Sequence, residues 1–449
     1  MKKQNIFSVA LCALMATATL TSCEGALDDI FGEWSRPVKP LSIEETPLTF
    51  EAVEAGTIQV LYENSLTLPK PITYTKNGVS TSITASTDIT VAAGDVISFS
   101  SENSTLRDGS GYLNIYADHK VYAYGNVMSL INDEGDFSKD KTISGEYAFY
   151  GLLYANEDLF NHPEKEILLP ATTLSKGCYK AMFRGCYGLT RAPELPATKL
   201  TPECYYQMFR FCIALTTAPA LPSTLLATEC YYQMFYNCTS LTTAPALPAT
   251  SLSTHCYYKM FNNCTSLTTA PELPATTLAE YCYLGMFNNC TSLTTAPALP
   301  ATTLAEYCYS EMFSNCASLT TAPALSATTL AEDCYDQMFL SCTSLTSAPA
   351  LPATTLKKKC YHGMFADCRV LTETPHLPAV TLAVECYKSM FHSCTALTKA
   401  YVKTSYDATN CEDMFNGCDD VTTSTFYTDG GTSWDSVDGV KNWTKAAYQ

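Results

Sequence analysis

The feature that most constrains this chain is an internal repeat of 26 residues. Nine cysteines recur at that interval, and a second cysteine follows each of them by eight residues. The first column contains Cys178, Cys204, Cys230, Cys256, Cys282, Cys308, Cys334, Cys360 and Cys386. The second contains Cys186, Cys212, Cys238, Cys264, Cys290, Cys316, Cys342, Cys368 and Cys394, and a shortened tenth copy holds Cys411 and Cys418. A fixed period of this length predicts a solenoid, in which each unit buries its apolar side by stacking on its neighbours.

Each repeat predicts a short helix followed by an extended segment. In Cys256–Cys264, cysteine, methionine and cysteine stand at relative positions 0, 4 and 8, which share one side of a helix. The extended segment that follows contains Pro271 and Pro274. Because proline lacks a backbone donor, any parallel sheet along this edge should be narrow and irregular. The expected fold class is therefore an α/β solenoid with short helices and a narrow extended edge.

The repeated pattern Met-Phe-x-x-Cys-x-x-Leu, followed by a proline-containing segment, resembles the BspA-like leucine-rich repeats of bacterial surface proteins. It is also similar to the related 26-residue surface-protein repeat. The resemblance covers about Gly145 to Cys418. It implies a leucine-rich-repeat-like solenoid and a role in adhesion, since some family members are credited with binding host extracellular-matrix proteins. The cysteine at the first helical core position departs from the family pattern, in which an aliphatic residue is usual.

The N-terminus has the organisation of a lipoprotein signal peptide. Lys2 and Lys3 precede an apolar stretch, as in an export signal. Leu20–Cys23 resembles the lipobox of bacterial lipoproteins, which implies that Cys23 becomes the acylated first residue and holds the protein at a membrane. The alternative is ordinary secretion. Acidic residues directly after Cys23 resemble surface-export signals of some Gram-negative lipoproteins, so we expect a lipid-anchored outer-membrane protein exposed at the cell surface.

Composition and strand patterns divide the chain into segments. Alternating strand-forming runs on either side of Asn77-Gly78 predict a hairpin, and the surrounding region predicts a small all-β sandwich-like module that serves as a spacer. A degenerate first copy of the repeat, at residues 148–154, is expected to cap the N-terminal end of the solenoid. The expected divisions are a signal peptide at 1–22, an acylated N-terminus and tether at 23–47, a β-rich module at 48–145, the repeat solenoid at 146–418 and a C-terminal cap at 419–449.

The cysteine columns favour buried, reduced thiols. A metal array is disfavoured, because the spacing is C-x7-C and no histidine recurs with the cysteines. Disulfides suit an exported chain with an even number of cysteines. However, helical positions eight apart lie about 12 Å apart along the axis, which is too far for a bridge. Reduced cysteines pack as small hydrophobic residues without further assumptions, and disulfides between neighbouring repeats remain the alternative.

The candidate ligand-contact residues form an aromatic strip at the second position after the first cysteine. The strip contains Tyr206, Tyr232 and Tyr258, with Phe211 and Tyr236 nearby. Aromatic side chains of this kind contact sugars and proteins well. Repetition inherited without function is the alternative explanation.

Charge and motifs restrict the function. The formal net charge of −17 disfavours nucleic acid as a partner, because such a surface repels phosphates. The sequence contains no P-loop, H-E-x-x-H or G-x-S-x-G motif, and we predict no enzyme, cofactor or metal site. We expect a cell-surface lipoprotein whose solenoid binds host or neighbouring-cell proteins or glycans. The alternatives are a glycan-capturing lipoprotein of an uptake system and a structural surface spacer.

Overall fold

The computed structural model describes residues 42–132, 135–419 and 423–448. The predicted signal peptide, the predicted acylation at Cys23 and most of the predicted tether lie outside the described residues. Among the residues described, none belongs to a helix that is long and apolar enough to cross a membrane.

The region before the repeats is built from two antiparallel sheets. Its strands are β1 Leu48–Ala52, β2 Gly56–Glu63, β3 Ile72–Lys76, β4 Val79–Ile83, β5 Thr87–Val91, β6 Val96–Ser101, β7 Arg107–Asp108, β8 Gly111–Ala117 and β9 Val121–Asn126. One sheet has the strand order β4-β3-β6-β1-β9, and the other has the order β5-β2-β8-β7. Both sheets contribute buried side chains to one continuous hydrophobic core.

The predicted hairpin is confirmed. Strands β3 and β4 pair with Lys76 opposite Val79, which leaves Asn77 and Gly78 as a two-residue turn. Both turn residues have positive φ, at 48° and 84°. This is the conformation that a type I′ hairpin requires and that Asn-Gly adopts readily.

The predicted α/β solenoid with short helices is wrong. The described residues contain no α-helix, only the four-residue 3-10 helices Val127–Leu130 and Gly431–Trp434, and their regular structure is otherwise β, in several sheets. The segments expected to be helical are runs of turns. The reason lies in the backbone, because His255, Lys259 and Asn263 all have positive φ, between 47° and 62°. A left-handed residue at every fourth position cannot belong to a right-handed helix.

Backbone hydrogen bonds alternate along these turns between local and inter-repeat partners. The amide of Met260 donates to the carbonyl of Tyr257 at 3.2 Å and closes a turn, whereas the next amide, of Phe261, donates to Met286 in the following repeat at 2.9 Å. The amide of Tyr257 likewise donates to Cys282 at 3.1 Å. Each repeat is therefore joined to its neighbour by several bonds, much as one strand is joined to the next in a sheet.

The extended side of the repeats pairs much more sparsely. Parallel bridges join single residues, from Arg191–Thr217 to Thr295–Thr321, because prolines in the flanking segments remove backbone donors. Towards the C-terminus this edge widens into a parallel sheet with the order β12-β13-β14-β15; the strands are β12 Glu373–Leu377, β13 Lys399–Val402, β14 Thr425–Tyr427 and β15 Thr444–Ala446.

The N-terminal end of the repeat array is covered by the β-rich module. Strands β10 (Leu159–Asn161) and β11 (Ile167–Leu168) pair in parallel with β9. Residues 148–154 form a degenerate copy that precedes the first cysteine-containing repeat, and in it the amide of Phe149 donates to Cys178 at 2.8 Å. On the opposite side of that copy, the amide of Ile115 in β8 donates to the carbonyl of Leu152, also at 2.8 Å. The module thus supplies donors for carbonyl groups that no preceding repeat could satisfy.

The core of the array consists of stacked columns of identical side chains. Tyrosines that follow the first cysteine stack nearly in parallel from Tyr179 to Tyr387, with centroids 5.7–6.2 Å apart. Phenylalanines stack in the same way from Phe183 to Phe415, at 5.5–5.7 Å. The twenty cysteines that the structure describes are all free and buried.

The tenth copy is shifted in register relative to its sequence pattern. The amide of Tyr387 donates to Asn410 at 2.9 Å, whereas the equivalent bond in earlier repeats goes to the first cysteine. Asn410 therefore takes the place of the first cysteine, and Cys411 follows Tyr387 in the tyrosine column.

Candidate binding surface

The candidate binding residues lie on the side of the array formed by the turns, which we call the turn face. Each turn places two side chains in the core and the next two at the surface. In the fourth repeat, Tyr257 and Phe261 are buried, while Tyr258 and Lys259 are half-buried. A surface position on one repeat therefore has a counterpart directly beside it on the next.

The three predicted strip tyrosines come together on the turn face. The rings of Tyr206 and Tyr232 stack with centroids 4.5 Å apart and planes 2° from parallel, and Tyr232 and Tyr258 stack at 4.5 Å and 4°. The ammonium group of Lys180 lies 4.0 Å from the centroid of the Tyr206 ring. Neighbouring groups therefore cover the ring faces, and a ligand approaching this stack meets ring edges and hydroxyl groups.

The other two predicted residues, Phe211 and Tyr236, form a second contact beside the stack. Their rings meet edge to face at 5.7 Å. The guanidinium of Arg210 lies over both rings, 4.8 Å from the Phe211 centroid and 4.6 Å from that of Tyr236. Arg210 also interacts electrostatically with Tyr206 and Tyr232. The five predicted residues thus belong to one surface, with an arginine at its centre.

A second stack on the turn face escaped the sequence prediction. His255 and Tyr281 stack at 4.6 Å and 3°, and Tyr281 and Tyr307 stack at 4.6 Å and 7°. His255 also lies 5.6 Å from Tyr258, which joins the two stacks. We call the continuous series the aromatic track; its members are Tyr206, Tyr232, Tyr258, His255, Tyr281 and Tyr307. The missed residues immediately precede the first cysteine in three successive repeats, and that recurrence was a signal available in the sequence.

The aromatic track ends beside buried acidic groups. The hydroxyl of Tyr307 hydrogen-bonds Asp333, and Asp333 is 3% exposed. Burial raises the pKa of the Asp333 carboxyl above its ordinary value, and burial raises the pKa of Tyr307 to about 12. One turn further on, Asp336 lies 2.6 Å from the Nδ1 atom of His362. The Tyr307 hydroxyl is therefore neutral at physiological pH.

The extended side of the array carries a separate cleft between the seventh and eighth repeats. Its volume is about 350 Å³, and its lining includes Pro352, Glu373 and His376. On the turn side these repeats are joined by a 2.9 Å bond from the amide of Phe339 to Met364. On the extended side, no bridge joins Ser347 to Glu373 in the described part of the chain. The cleft lies on this side, lined by residues 347–352 of the seventh repeat and 373–378 of the eighth.

One wall of this cleft is the ring of His376. Its face towards the ninth repeat stacks on Tyr401 at 4.2 Å, and Tyr401 stacks in turn on Tyr427 at 4.6 Å. The cleft lies on the opposite side, towards the seventh repeat, where the equivalent residue is Ala350. His376 also meets Tyr448, with ring centroids 5.6 Å apart and planes at 75°, and it contributes to the lining of the cleft.

Comparison with known proteins identifies no relative: no family model, curated protein or solved structure matches this chain. The similarity to BspA-like repeats stays a prediction from the repeat pattern. Within the described ranges, no group of three or more histidine, cysteine, aspartate or glutamate side chains is arranged to hold a metal ion.

Proposed function

We propose that this protein is a lipid-anchored cell-surface binding protein that holds a protein partner on the turn face of its repeat array. The observation that carries the proposal is the aromatic track. Its six rings cross five successive repeats, and all six are half-buried rather than part of the core. Tyrosine is enriched at protein interfaces and at the residues that dominate their binding energy.

The arrangement of the rings favours a protein over a glycan at this surface. Sugars bind aromatic side chains chiefly by lying against a free ring face, and the faces within the track are covered by neighbouring rings. What remains outside is a row of hydroxyl groups and ring edges, which suit the polar and apolar groups of a polypeptide. Stacking also fixes the rings before binding, so that little side-chain entropy is lost on association.

The cellular setting is proposed from the sequence. A lipobox-like segment ending at Cys23 supports acylation, and the acidic residues that follow support display at the outer membrane of the cell. The resemblance to BspA-like surface proteins supports adhesion to host or neighbouring cells. We propose no catalytic role for this surface.

Substitution of Tyr206, Tyr232 and Tyr258 by alanine tests the proposal. In a screen of the purified protein on arrays of extracellular-matrix and bacterial surface proteins, we expect a partner whose affinity falls at least tenfold in the triple variant. Removing a central interface tyrosine commonly costs about 2 kcal/mol or more. The matched control replaces Tyr74, Tyr116 and Tyr122, three half-buried tyrosines of the β-rich module, and should bind normally. Undiminished binding by the track variant would contradict the proposal.

Glycan capture is a second candidate function, and the cleft beside His376 favours it. This site offers the imidazole of His376 together with the Glu373 carboxylate, which can accept hydrogen bonds from sugar hydroxyls. The cleft is also large enough for one sugar ring, at the lower end of the usual range for ligand sites. On a polysaccharide affinity gel, retention of the unmodified protein and release of a His376→Ala variant would favour this function over the first.

A further inference from the structure

Two arginines occupy the same surface position in the first and second repeats. Arg184 and Arg210 each stand six residues after the first cysteine of their repeat, and both are half-buried on the turn face. Successive repeats are joined by backbone hydrogen bonds, so the two guanidinium groups lie side by side. Such a pairing of like charges is notable in a chain with a formal net charge of −17.

Neither guanidinium is neutralised by a carboxylate. Arg184 donates to the amide oxygen of Gln207 at 3.1 Å, and Arg210 donates to that of Gln233 at 2.8 Å. In the part of the chain that the structure describes, neither arginine makes an ion pair with an acidic side chain. The acidic Glu203 is engaged by Lys180 at 2.5 Å.

Other arginines of the same chain show what an ordinary pairing looks like here. Arg191 lies 3.8 Å from Glu166, and Arg369 lies 3.1 Å from Asp367. Both are more exposed than the turn-face pair. Among the described residues, Arg107 likewise makes no ion pair, and its Nε donates to the carbonyl of Gly109 at 2.9 Å. Arg184 and Arg210 differ from it because they lie next to each other on the turn face, where the charge of one acts on the other.

The guanidinium groups are held in place by rings and amides. Arg184 lies 5.4 Å from the ring centroid of Tyr154, and Arg210 lies over Phe211 and Tyr236 as described above. The amide nitrogen of Gln207 donates to Gln233 at 2.8 Å, which links the two acceptors. The Nε atom of Arg210 is buried and has no hydrogen-bond partner. Burial and the charge of Arg184 lower the pKa of Arg210, as expected for a site that lacks its anion.

We infer that Arg184 and Arg210 form an oxyanion site that receives a carboxylate from an acidic segment of the protein partner. Guanidinium groups bind carboxylates through paired, charge-assisted hydrogen bonds. The inference rests on the proposed function, because Arg210 lies between the Tyr206–Tyr232 stack and the Phe211–Tyr236 contact. A segment seated on the first rings of the aromatic track therefore meets Arg210, and Arg184 occupies the equivalent position one repeat earlier.

The test uses a fluorescein-labelled hexaglutamate peptide as the probe, with binding to the full chain followed by fluorescence anisotropy at low salt. We expect measurable binding that weakens as salt is added. The Arg184→Gln and Arg210→Gln substitutions should each reduce affinity about tenfold, the effect of one charge-assisted hydrogen bond. Inorganic sulfate should compete for the site. The control variant Arg191→Gln/Arg369→Gln removes the same net charge as the double variant Arg184→Gln/Arg210→Gln and should bind within about twofold of the unmodified protein.

Several results would overturn the inference. The inference is wrong if hexaglutamate does not bind, or if it binds the Arg184→Gln/Arg210→Gln variant as tightly as the unmodified protein. Binding of a sulfated polysaccharide in place of hexaglutamate would assign the site to another class of ligand. If the tyrosine variant of the track loses its protein partner while the arginine variant retains it, the oxyanion site is wrong and the proposed function stands. Unchanged unfolding midpoints would show that the arginine variants are folded.

Discussion

At the scale of single residues, the two cysteine columns show how burial determines chemistry. Burial raises the pKa values of Cys204 and Cys212 to about 12, so both thiols stay protonated at physiological pH. In the second column the thiol also acts as a donor, as from Cys212 to the carbonyl of Phe183 at 3.0 Å. Since the thiolate is the reactive form of cysteine, these side chains serve packing and hydrogen bonding in the folded protein.

These raised pKa values predict a steep loss of stability at alkaline pH. An unfolded thiol ionises near pH 8.5, whereas the folded protein retains the proton until much higher pH. The stabilisation is therefore complete below about pH 8.5 and is lost as the pH rises towards 12, at roughly 1.4 kcal/mol per pH unit for each thiol. Urea unfolding between pH 7 and pH 9.5 measures this slope. A Cys204→Ala/Cys212→Ala variant should be less stable throughout and should show a shallower slope; an equal slope would contradict the explanation.

At the scale of the repeat element, the sequence identified the buried positions but not the backbone that presents them. Cys256 and Met260 are four residues apart, a spacing that fits both a helix and consecutive four-residue turns. Two signals favoured turns. Tyr257 and Phe261 are buried as well, and they are also four residues apart. The buried residues of a repeat therefore come in adjacent pairs every four residues, which fits consecutive turns. Asparagine also recurs at Asn263 and its equivalents, and asparagine tolerates the left-handed conformation better than most residues.

These asparagines also interact with one another along the array. The side-chain amide of Asn263 donates to Asn237, and that of Asn289 donates to Asn263. A helical interpretation does not predict these hydrogen bonds between repeats, because it places the asparagine side chains in solvent. The same error concealed part of the candidate site. The helical interpretation covers Tyr206, Tyr232 and Tyr258, because they follow the first cysteine of their repeats. It does not cover His255, Tyr281 and Tyr307, because these residues precede the first cysteine.

The left-handed turns predict opposite effects of two substitutions at one position. Gln337 has a φ of 52°, and glycine occupies the equivalent position at Gly285 and Gly363. Gln337→Gly should stabilise the protein by up to about 1 kcal/mol. A left-handed conformation costs an L-residue about 1–2 kcal/mol, and glycine avoids this cost. Part of the gain is lost because glycine makes the unfolded chain more flexible. Gln337→Val should be destabilising, because a β-branched residue fits this conformation poorly.

Urea unfolding of both variants measures the difference. Gln337→Ala is the matched control, because alanine keeps the Cβ atom and removes only the remainder of the side chain. It should resemble the unmodified protein. A glycine variant less stable than the alanine variant would show that the left-handed backbone imposes no strain here.

At the scale of the whole described chain, one core runs from the β-rich module through the repeats to the C-terminal segment. The module covers one end, and the segment containing Trp434 covers the other. Trp434 is fully buried, contacts Phe415 and Phe426, and donates its indole N–H to Thr404 at 2.9 Å. Trp434 thus anchors the segment for which the sequence predicts a C-terminal cap.

Loss of this anchor should loosen the array from its C-terminal end. We expect Trp434→Ala to cost about 3–5 kcal/mol, as for other large buried aromatic residues. Hydrogen exchange followed by mass spectrometry should then accelerate first in β13 and β14, while repeats near Cys178 stay protected, because each repeat depends chiefly on its neighbours. Trp434→Phe keeps most of the ring and should have a smaller effect. Uniform acceleration along the chain would contradict this order of unfolding.

The regular bonding between repeats has a consequence for how such a gene evolves. From Tyr179 to Tyr361, each tyrosine amide donates to the first cysteine of the following repeat, 25 residues later. Gene segments that encode similar repeats can recombine out of register. A crossover at equivalent positions of two repeats adds or removes whole multiples of 26 codons. A gained unit brings its own donors, acceptors and rings and leaves both terminal segments intact. The length of the proposed binding surface is therefore open to selection by copy number, whereas the insertion of a single codon would misalign every contact across the affected junction.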